Sequence, residues 1–327
     1  MEFNLASASF ISEKNFVPVD QSRVYDVLII GGGPAGLTAA VYCMRKGVDA
    51  AITIKKIGGQ MGETSAVENY MGYRYINGVE LVDRFREQVQ QFSIAYDEGH
   101  EVSSIETGDL KHVWLDDGRK LSAKLLIIAT GKSWRKLGVP GEKELTGRGV
   151  AYCTICDAPL FAGKRVIVAG GGNSGVEAAM DLARVASSVT VVQALDSLTA
   201  DRLLVERLAG YANVSYVFNT VITAINGSDR VTSVSLKNSA DNSISGLDAD
   251  GVFIEIGLEP NSGFLRDRLS LNGAGEIEVD CMCATSARGV FAAGDVTSVQ
   301  YKQIIIAAGE GAKAALSACE YVGKMEY

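Results

Sequence analysis

Apolar positions along this chain fall into strand-length runs and helical stripes that alternate, a pattern that predicts parallel strands joined by helices. Val24 to Ile30 is an apolar run that reads as a buried strand, and Pro34 to Lys46 follows as a helix with proline in its first turn. Val79, Leu81, Val82, Phe85, Val89 and Phe92 recur at roughly helical spacing, with Arg84, Arg86 and Glu87 on the other side. That stripe predicts an amphipathic helix packed on a core. Leu110 to Leu115 and Lys120 to Leu126 flank Asp116-Asp117-Gly118, a hairpin signal, and Leu125 to Ala129 runs on into Thr130-Gly131. A β-meander and a return strand are expected there.

The pattern then begins again. Arg165 to Ala169 reads as a buried strand, followed by a glycine turn, a helix from Ser174 to about Ala186 and a strand from Val189 to Gln193. Val252 to Ile256 and Gly289 to Ala293 read as later short strands, and Gln303 to about Tyr321 as an alanine-rich helix buried in the first domain. Residues 1 to 20 show no clear period and read as an extension leading into the first strand. A chain of 327 residues exceeds the roughly 250 to 300 residues at which one core stops growing, so two domains are expected.

Composition narrows the class. With 47% apolar residues, 36 glycines and five prolines, the chain suits a tightly wound α/β protein. A net charge of −8 without a basic stripe argues against nucleic acid as a partner. No apolar run reaches the roughly 18 residues of a membrane helix, and no basic leader opens the chain, so a soluble cytoplasmic protein is expected. Six cysteines are too sparse for a disulfide scaffold, and His100 and His112, the two histidines, lack metal-ligand spacing.

The chemistry concentrates in three segments. Gly31-Gly32-Gly33-Pro34-Ala35-Gly36 and Gly170-Gly171-Gly172-Asn173-Ser174-Gly175 each sit between a predicted strand and a predicted helix. In such a turn the first glycine permits the tight bend, the second lets the backbone approach a pyrophosphate, and the third lets helix and strand pack closely. Gly31, Gly33 and Gly36 fill those roles in the first turn, and Gly170, Gly172 and Gly175 in the second. Each turn offers a pyrophosphate the positive end of a helix. The acid expected about 20 residues beyond the first turn is absent, because that strand ends Ile52-Thr53-Ile54-Lys55-Lys56. The corresponding strand of the second unit ends at Gln193, and Asp196 and Asp201 follow with no arginine before Arg202. A 2′-phosphate needs cations, so NADH is expected in preference to NADPH.

Between the turns lies Cys153-Thr154-Ile155-Cys156-Asp157. Cys-x-x-Cys holds two sulfurs together with one pKa lowered, and Asp157 is placed to move a proton to or from a departing thiol. A zinc half-site completed by Cys281 and Cys283, or a pair of inert core cysteines, are the alternatives. Cys43 and Cys319 read as small buried hydrophobes. Two dinucleotide turns and a dithiol are the equipment for taking electrons from a nicotinamide through a flavin to a disulfide. The expected fold is therefore α/β, with two Rossmann-like three-layer ββα nucleotide-binding domains. Residues 21–135 and 263–327 would form one nucleotide-binding domain after the extension, and residues 136–262 a second, inserted one carrying the dithiol.

With these residues in view, the chain resembles the low-molecular-weight thioredoxin reductases and is similar to the flavoprotein subunit of alkyl hydroperoxide reductase. The resemblance runs from about Tyr25 to Tyr321. It includes Gly58-Gly59-Gln60, Glu68-Asn69-Tyr70, Ala129-Thr130-Gly131, Gly257-Leu258-Glu259-Pro260-Asn261, Gly294-Asp295-Val296 and Tyr301-Lys302-Gln303-Ile304. It implies that the first domain binds FAD, held by Gly31, Gly33, Pro34, Ala35, Gly36, Gly59, Gln60, Asn69, Thr130, Gly131, Gly294, Asp295, Gln303 and Ile304. Asp295 would hold the ribitol, and the Gln303 helix would face the isoalloxazine ring. NAD(P)H would bind the second, inserted domain, on Gly170, Gly172, Asn173, Ser174, Gly175, Glu177, Gln193 and Gly257.

The resemblance further implies that Cys156 receives electrons from the flavin, Cys153 attacks a partner disulfide and Asp157 donates a proton. It implies rotation of the nucleotide domain about segments near Lys132 to Pro140 and Gly257 to Gly263, and a homodimer. The segment from Gln193 to Asp201 replaces the basic cluster that selects NADPH in most thioredoxin reductases, and some relatives take electrons from ferredoxin. About 20 residues precede the FAD unit where the peroxide-reductase flavoproteins carry a thioredoxin-fold arm. The expected partner is therefore a separate thioredoxin or glutaredoxin-like carrier, with an NADH oxidase or peroxiredoxin-reductase component as the alternative. A non-catalytic nucleotide-binding scaffold is disfavoured by the retained cysteines.

Overall fold

The apolar runs become parallel strands because both of their faces are covered, which leaves no solvent side for polar alternation. In the computed structural model, residues 16–63, 67 and 69–325 are described. The residues before Phe16, Glu68 of the Glu68-Asn69-Tyr70 motif, the terminal Glu326 and Tyr327, and the side chains of Glu63, Ile155, Cys156 and Met325 lie outside this description. The chain divides into two compact units, one running up to Lys132 and resuming at Pro260, the other spanning Ser133–Glu259.

The first unit opens with β1 (Val17–Pro18), β2 (Val24–Ile30), α1 (Pro34–Arg45), β3 (Ala50–Ile54), α2 (Gly78–Gln90), β4 (Ala95–Glu98), β5 (Val102–Thr107), β6 (Lys111–Leu115) and β7 (Lys120–Ile128). Its sheet has the order β1-β4-β3-β2-β7-β6-β5. β1 through β4, with β7, run parallel, and β5, β6 and β7 form the expected antiparallel meander. The end of the predicted extension belongs to the sheet: Val17–Pro18 pairs with β4, and Phe16 stacks on Tyr96 at 3.8 Å. Two residues are too few to carry a period, so the sequence pattern could not announce this strand. Asn77 caps α2 by accepting the Val79 amide, which leaves Val79 57% exposed at the start of the helix, off the predicted stripe. Asp97, buried at the end of β4, is compensated by Arg119 at 2.7 Å and by the Thr53 hydroxyl at 3.3 Å, tying strand ends to the meander hairpin.

The second unit holds β8 (Lys132–Trp134, which begins in the connector), β9 (Val150–Ala151), α3 (Thr154–Asp157), β10 (Arg165–Ala169), α4 (Asn173–Ala183), β11 (Ser188–Val192), α5 (Arg202–Leu208) and β12 (Val214–Val217). It continues with β13 (Thr220–Asn226), β14 (Ser233–Asn238), β15 (Ile244–Asp248), β16 (Gly251–Ile254) and β17 (Leu258–Pro260). A parallel sheet runs β12-β11-β10-β16-β9, and β13-β14-β15 form an antiparallel sheet of their own. The two connecting segments pair as β8 with β17. The β13-β14-β15 meander was not expected from sequence, because β15 is almost wholly exposed and the segment is rich in serine, threonine and asparagine.

The chain then returns to the first sheet. β18 (Val290–Ala292) pairs in parallel with Leu126–Ile128 of β7, beyond the stretch of β7 that pairs with β6. α6 (Ile304–Met325) packs on α1 so closely that a Cβ on Gly311 would lie 2.0 Å from the Ala35 carbonyl oxygen. No helix among the described residues is long and apolar enough to cross a membrane.

Candidate functional site

The first glycine turn is built by strand ends. Gly31 takes φ +118°, and a Cβ there would stand 2.2 Å from the Ala129 carbonyl oxygen at the end of β7. A Cβ on Gly36 would stand 1.9 Å from the Gly31 carbonyl oxygen, so the third glycine is required by the approach of helix to strand. Gly33 differs: no described atom lies within 4 Å of its Cβ position. Pro34 occupies the first position of α1, no described side chain caps the helix, and its first turn carries no acid. An open approach and unshared amides are what a pyrophosphate requires.

Two other expected residues, Gly59 and Gly294, lie against this turn. A Cβ on Gly59 would lie 3.6 Å from the Gly33 Cα, and one on Gly294 would lie 3.0 Å from the Ala35 Cβ. Asp295 is half-buried; burial raises its carboxyl pKa, against the pull of Lys302 and Lys132. Thr130 Oγ1 donates to the Asn261 carbonyl at 2.8 Å, while Asn261 Nδ2 donates back to the Thr130 carbonyl at 2.8 Å. Gly131 follows with φ +66°. Asn69 Nδ2 donates to Gln303 Oε1 at 3.1 Å just ahead of Ile304, the first residue of α6. Gln60 Nε2 donates to the Lys132 carbonyl at 2.8 Å.

Sequence reasoning missed Glu276. Its Oε1 meets Lys132 Nζ at 2.9 Å and Lys302 Nζ at 3.1 Å, and its Oε2 accepts from Asn272 at 2.8 Å. Although burial works the other way, Lys132, Asn272 and Lys302 together depress the carboxyl to about 2. The pairing spans 144 residues, a separation at which no local motif signals contact.

The second turn repeats the backbone of the first. Gly170 takes φ +117° with its Cβ position 2.2 Å from the Glu255 carbonyl oxygen, and that of Gly175 lies 2.2 Å from the Gly170 carbonyl oxygen. The nearest described atom to a Cβ on Gly172 is Thr199 Oγ1 at 3.9 Å. No described side chain caps α4. Asn173 and Asp201 exchange two hydrogen bonds, Nδ2 to Oδ2 at 3.0 Å and the Asp201 amide to Oδ1 at 2.8 Å. Gln193 is buried at the end of β11 and donates to the Ser197 carbonyl at 3.3 Å. Arg202, the first cation after that strand, is paired with Glu206 at 2.7 Å. Glu177 stands exposed on α4, and Gly257 takes φ +93° with no described atom near its Cβ position.

The dithiol segment turns beside this second cradle. The Asp157 amide donates to the Cys153 carbonyl at 3.1 Å, closing the turn of α3, and Cys153 is disulfide-bonded. Asp157 has its carboxyl pKa raised by burial. Thr154 Oγ1, also buried, donates to Glu255 Oε1 at 3.1 Å. Burial pushes Glu255 up to about 7, and the hydrogen bonds from Thr154 and Ser174 offset only part of that rise. Glu255 lies 101 residues from Thr154 and was not among the expected site residues.

The remaining cysteines are free thiols. Cys43 is fully buried and hydrogen-bonded to half-buried Cys319, a contact that raises its pKa and that the reading of two separate core residues did not anticipate. Cys283 donates to Glu310 Oε2 at 3.2 Å and is pushed up to about 12 by burial, while Cys281 is exposed. No group of three or more histidine, cysteine, aspartate and glutamate side chains able to hold a metal occurs among the described residues.

The chain has relatives among known proteins. The chain is 42% identical over 308 residues to a protein of Pseudomonas putida named as a subunit of alkyl hydroperoxide reductase, covering 93% of this chain and 59% of that one. It is 44% identical over 298 residues to a protein of Ferdinandcohnia aciditolerans named NADH dehydrogenase, covering 91% and 57%. The chain thus spans less than two-thirds of the length of these relatives. Among solved structures, Lactococcus lactis thioredoxin reductase superimposes with a TM-score of 0.80 at 36% identity, covering 92% of this chain and 99% of that one. Thioredoxin reductase of T. acidophilum gives 0.77 at 39% identity with the same coverage. The family model described as pyridine nucleotide-disulphide oxidoreductase matches residues 25–311, and the chain belongs to that family.

Proposed function

We propose that this chain is a flavoprotein disulfide reductase, carrying electrons from NADH through FAD on the first unit and the Cys153/Cys156 pair to a thioredoxin-like protein disulfide. The observation that carries the reading is the state of the cysteines: Cys153 is disulfide-bonded beside a nucleotide cradle, whereas Cys43, Cys281, Cys283 and Cys319 are free thiols. A nucleotide-binding scaffold needs no disulfide there. When bound, FAD would supply the two-electron relay between dinucleotide and disulfide. Gly33, with no described atom near its Cβ position, would leave room for its pyrophosphate, the N-terminus of α1 would stabilise that charge, and Asp295 with Thr130 and Gly131 would orient the rest.

The chain's own residues then act in sequence. Once reduced, the Cys153 thiolate attacks one sulfur of the partner disulfide and expels the other as a thiolate, which takes a proton. Asp157, whose burial favours its protonated form, is the proposed donor of that proton. The Cys156 thiolate then attacks Cys153 in the mixed disulfide, releasing the reduced partner and restoring the intramolecular bond. NADH is favoured over NADPH because residues 193–201 offer amide and carboxylate groups and no cation. The relatives named for alkyl hydroperoxide reductase favour a second reading, in which the acceptor is a carrier serving peroxide reduction.

Anaerobic stopped-flow reduction of the purified protein with NADH and NADPH in parallel, followed by a thioredoxin-like and a glutaredoxin-like acceptor, tests the proposal. Fast flavin bleaching by NADH and reoxidation by the thioredoxin-like protein are expected. If neither dinucleotide bleached a flavin that dithionite reduced, the donor assignment would fall and ferredoxin would be the donor to test. Full acceptor reduction by Cys153→Ser would remove the dithiol from the pathway.

A further inference from the structure

The two cradles share a backbone but differ at one buried position. Ala129 abuts the first glycine of the first turn, and its Cβ lies 3.5 Å from the Cβ position of Gly36. Glu255 occupies the equivalent place in the second unit: its carbonyl abuts Gly170, and its Cβ lies 3.7 Å from the Cβ position of Gly175. Its side chain, 7% exposed, reaches Thr154 of the dithiol turn and Ser174 in the first turn of α4. A buried carboxyl thus sits beneath the helix end that is open to an anion, with no cation acting on it among its described neighbours.

We propose that Glu255 is a proton-linked positioning residue for the dinucleotide: as an anionic pyrophosphate settles on the N-terminus of α4, the Glu255 carboxylate takes up one proton from solvent. The inference rests on the reading of the second turn as the nicotinamide dinucleotide site. Two anions cannot share one helix end in a dry environment without mutual repulsion, and protonating Glu255 removes the repulsion while keeping its hydrogen bonds to Thr154 and Ser174. The groups facing it fit this role. α4 presents Ser174 and Glu177, and Glu177 raises the carboxyl further; α3 presents Thr154 and, at its far end, Asp157. A midpoint of about 7 for Glu255 puts the proton exchange in the neutral range. No histidine lies in Ser133–Glu259, and its two cysteines are Cys153 and Cys156, so with the disulfide oxidised no other side chain there has an ordinary pKa near neutrality. Because Thr154 adjoins Cys153, the carboxyl also links the dinucleotide cradle to the dithiol turn.

Isothermal titration calorimetry of the oxidised holoprotein with NAD⁺, in buffers of different ionisation enthalpy, counts the protons. NAD⁺ carries the pyrophosphate without reducing the flavin. Uptake of about 0.4 proton per site is expected at about pH 8 and about 0.1 at about pH 6, with affinity falling about fivefold between them, as for a one-unit pKa rise on binding. Glu255→Gln, which keeps the shape and hydrogen-bonding capacity, should bind NAD⁺ with no uptake and with a flat pH profile. Binding by the wild type without uptake at about pH 8 would overturn the inference alone, whatever the variant does, as would uptake that persists in Glu255→Gln. Failure of both NAD⁺ and NADP⁺ to bind at any pH would instead overturn the reading of the turn itself, and the inference with it.

Discussion

The two glycine turns are nearly the same backbone dressed with opposite side chains. Gly31 and Gly170 sit at φ +118° and +117°, and each third glycine is pinned against the carbonyl of the first. Around that shared frame the first turn carries Pro34, Ala35 and Ala129, and the second carries Asn173, Ser174 and Glu255. The repeated backbone is the one that a pyrophosphate on a helix end would demand. The side chains report what else each unit does. An apolar rim suits a cofactor held continuously, whereas a polar, proton-accepting rim wired to Thr154 suits a dinucleotide that comes and goes beside a dithiol. Nucleotide cradle and redox chemistry are therefore separable, and substitutions should separate them.

The largest separation is expected at the dithiol, which the first unit lacks. Cys153→Ser should lower turnover with a disulfide acceptor by about three orders of magnitude, because the hydroxyl is a poor substitute for a thiolate. Flavin bleaching by NADH should survive in the same variant, and paired stopped-flow traces check both.

Next comes the glycine frame. Gly31→Ala puts a Cβ against the Ala129 carbonyl at a φ that alanine resists, which should destabilise the first unit by about 3 kcal/mol or more. Gly33→Ala, whose Cβ meets no described atom, should change stability by less than about 1 kcal/mol yet weaken flavin retention by crowding the pyrophosphate. Thermal denaturation read beside the flavin-to-protein absorbance ratio distinguishes the two. Equal destabilisation by both would mean that the open face of Gly33 is not a binding face.

Much of this frame was legible in the sequence. β2 and β10 fall where the apolar runs Val24 to Ile30 and Arg165 to Ala169 predict them, since a strand buried on both faces has no polar partner to blur its limits. The glycine spacing likewise located both turns, because steric demands on the backbone are local. The β13-β14-β15 meander was hidden: its exposed faces are built from residues that also make loops. Glu255 and Glu276 were hidden for a different reason. Their importance comes from partners 101 and 144 residues away, and neither sits in a spacing that names it.

Glu276 offers the next test of the comparison, because the first unit holds a half-buried carboxylate paired with two lysines, whereas Glu255 of the second is held by hydroxyls with no cation acting on it among its described neighbours. Its folded pKa of about 2 lies below the ordinary value of 4.5, so its stabilisation is complete above the ordinary value and lost as pH falls towards the folded one. The expected contribution is about 2–3 kcal/mol. Glu276→Gln should abolish that part of the acid dependence and also leave Lys132 and Lys302 facing each other. Urea denaturation between about pH 2.5 and pH 6 measures the slope; a wild-type slope unchanged in Glu276→Gln would show that the pairing is not held in solution.

The smallest effect concerns the first helical position, where Pro34 in one turn is replaced by Asn173 in the other. Proline has no amide to satisfy and fixes its own backbone. Asn173 instead reaches across to Asp201, accepting its amide at 2.8 Å and donating to its carboxylate at 3.0 Å. This clasp holds the end of the Asp196 to Asp201 segment against the second turn, beside Gly171, whose carbonyl accepts from the Thr199 amide at 2.8 Å. Asn173→Ala should cost about 1 kcal/mol locally, since both bonds are exposed and water replaces much of what is lost. Native-state hydrogen exchange of the Asp201 amide should then quicken about fivefold, while amides of β2 and α1 in the first unit keep their protection. An unchanged Asp201 rate would mean that Thr199 alone fixes the segment, and that the polar rim of the second cradle acts through Ser174 and Glu255 without help from its first helical residue.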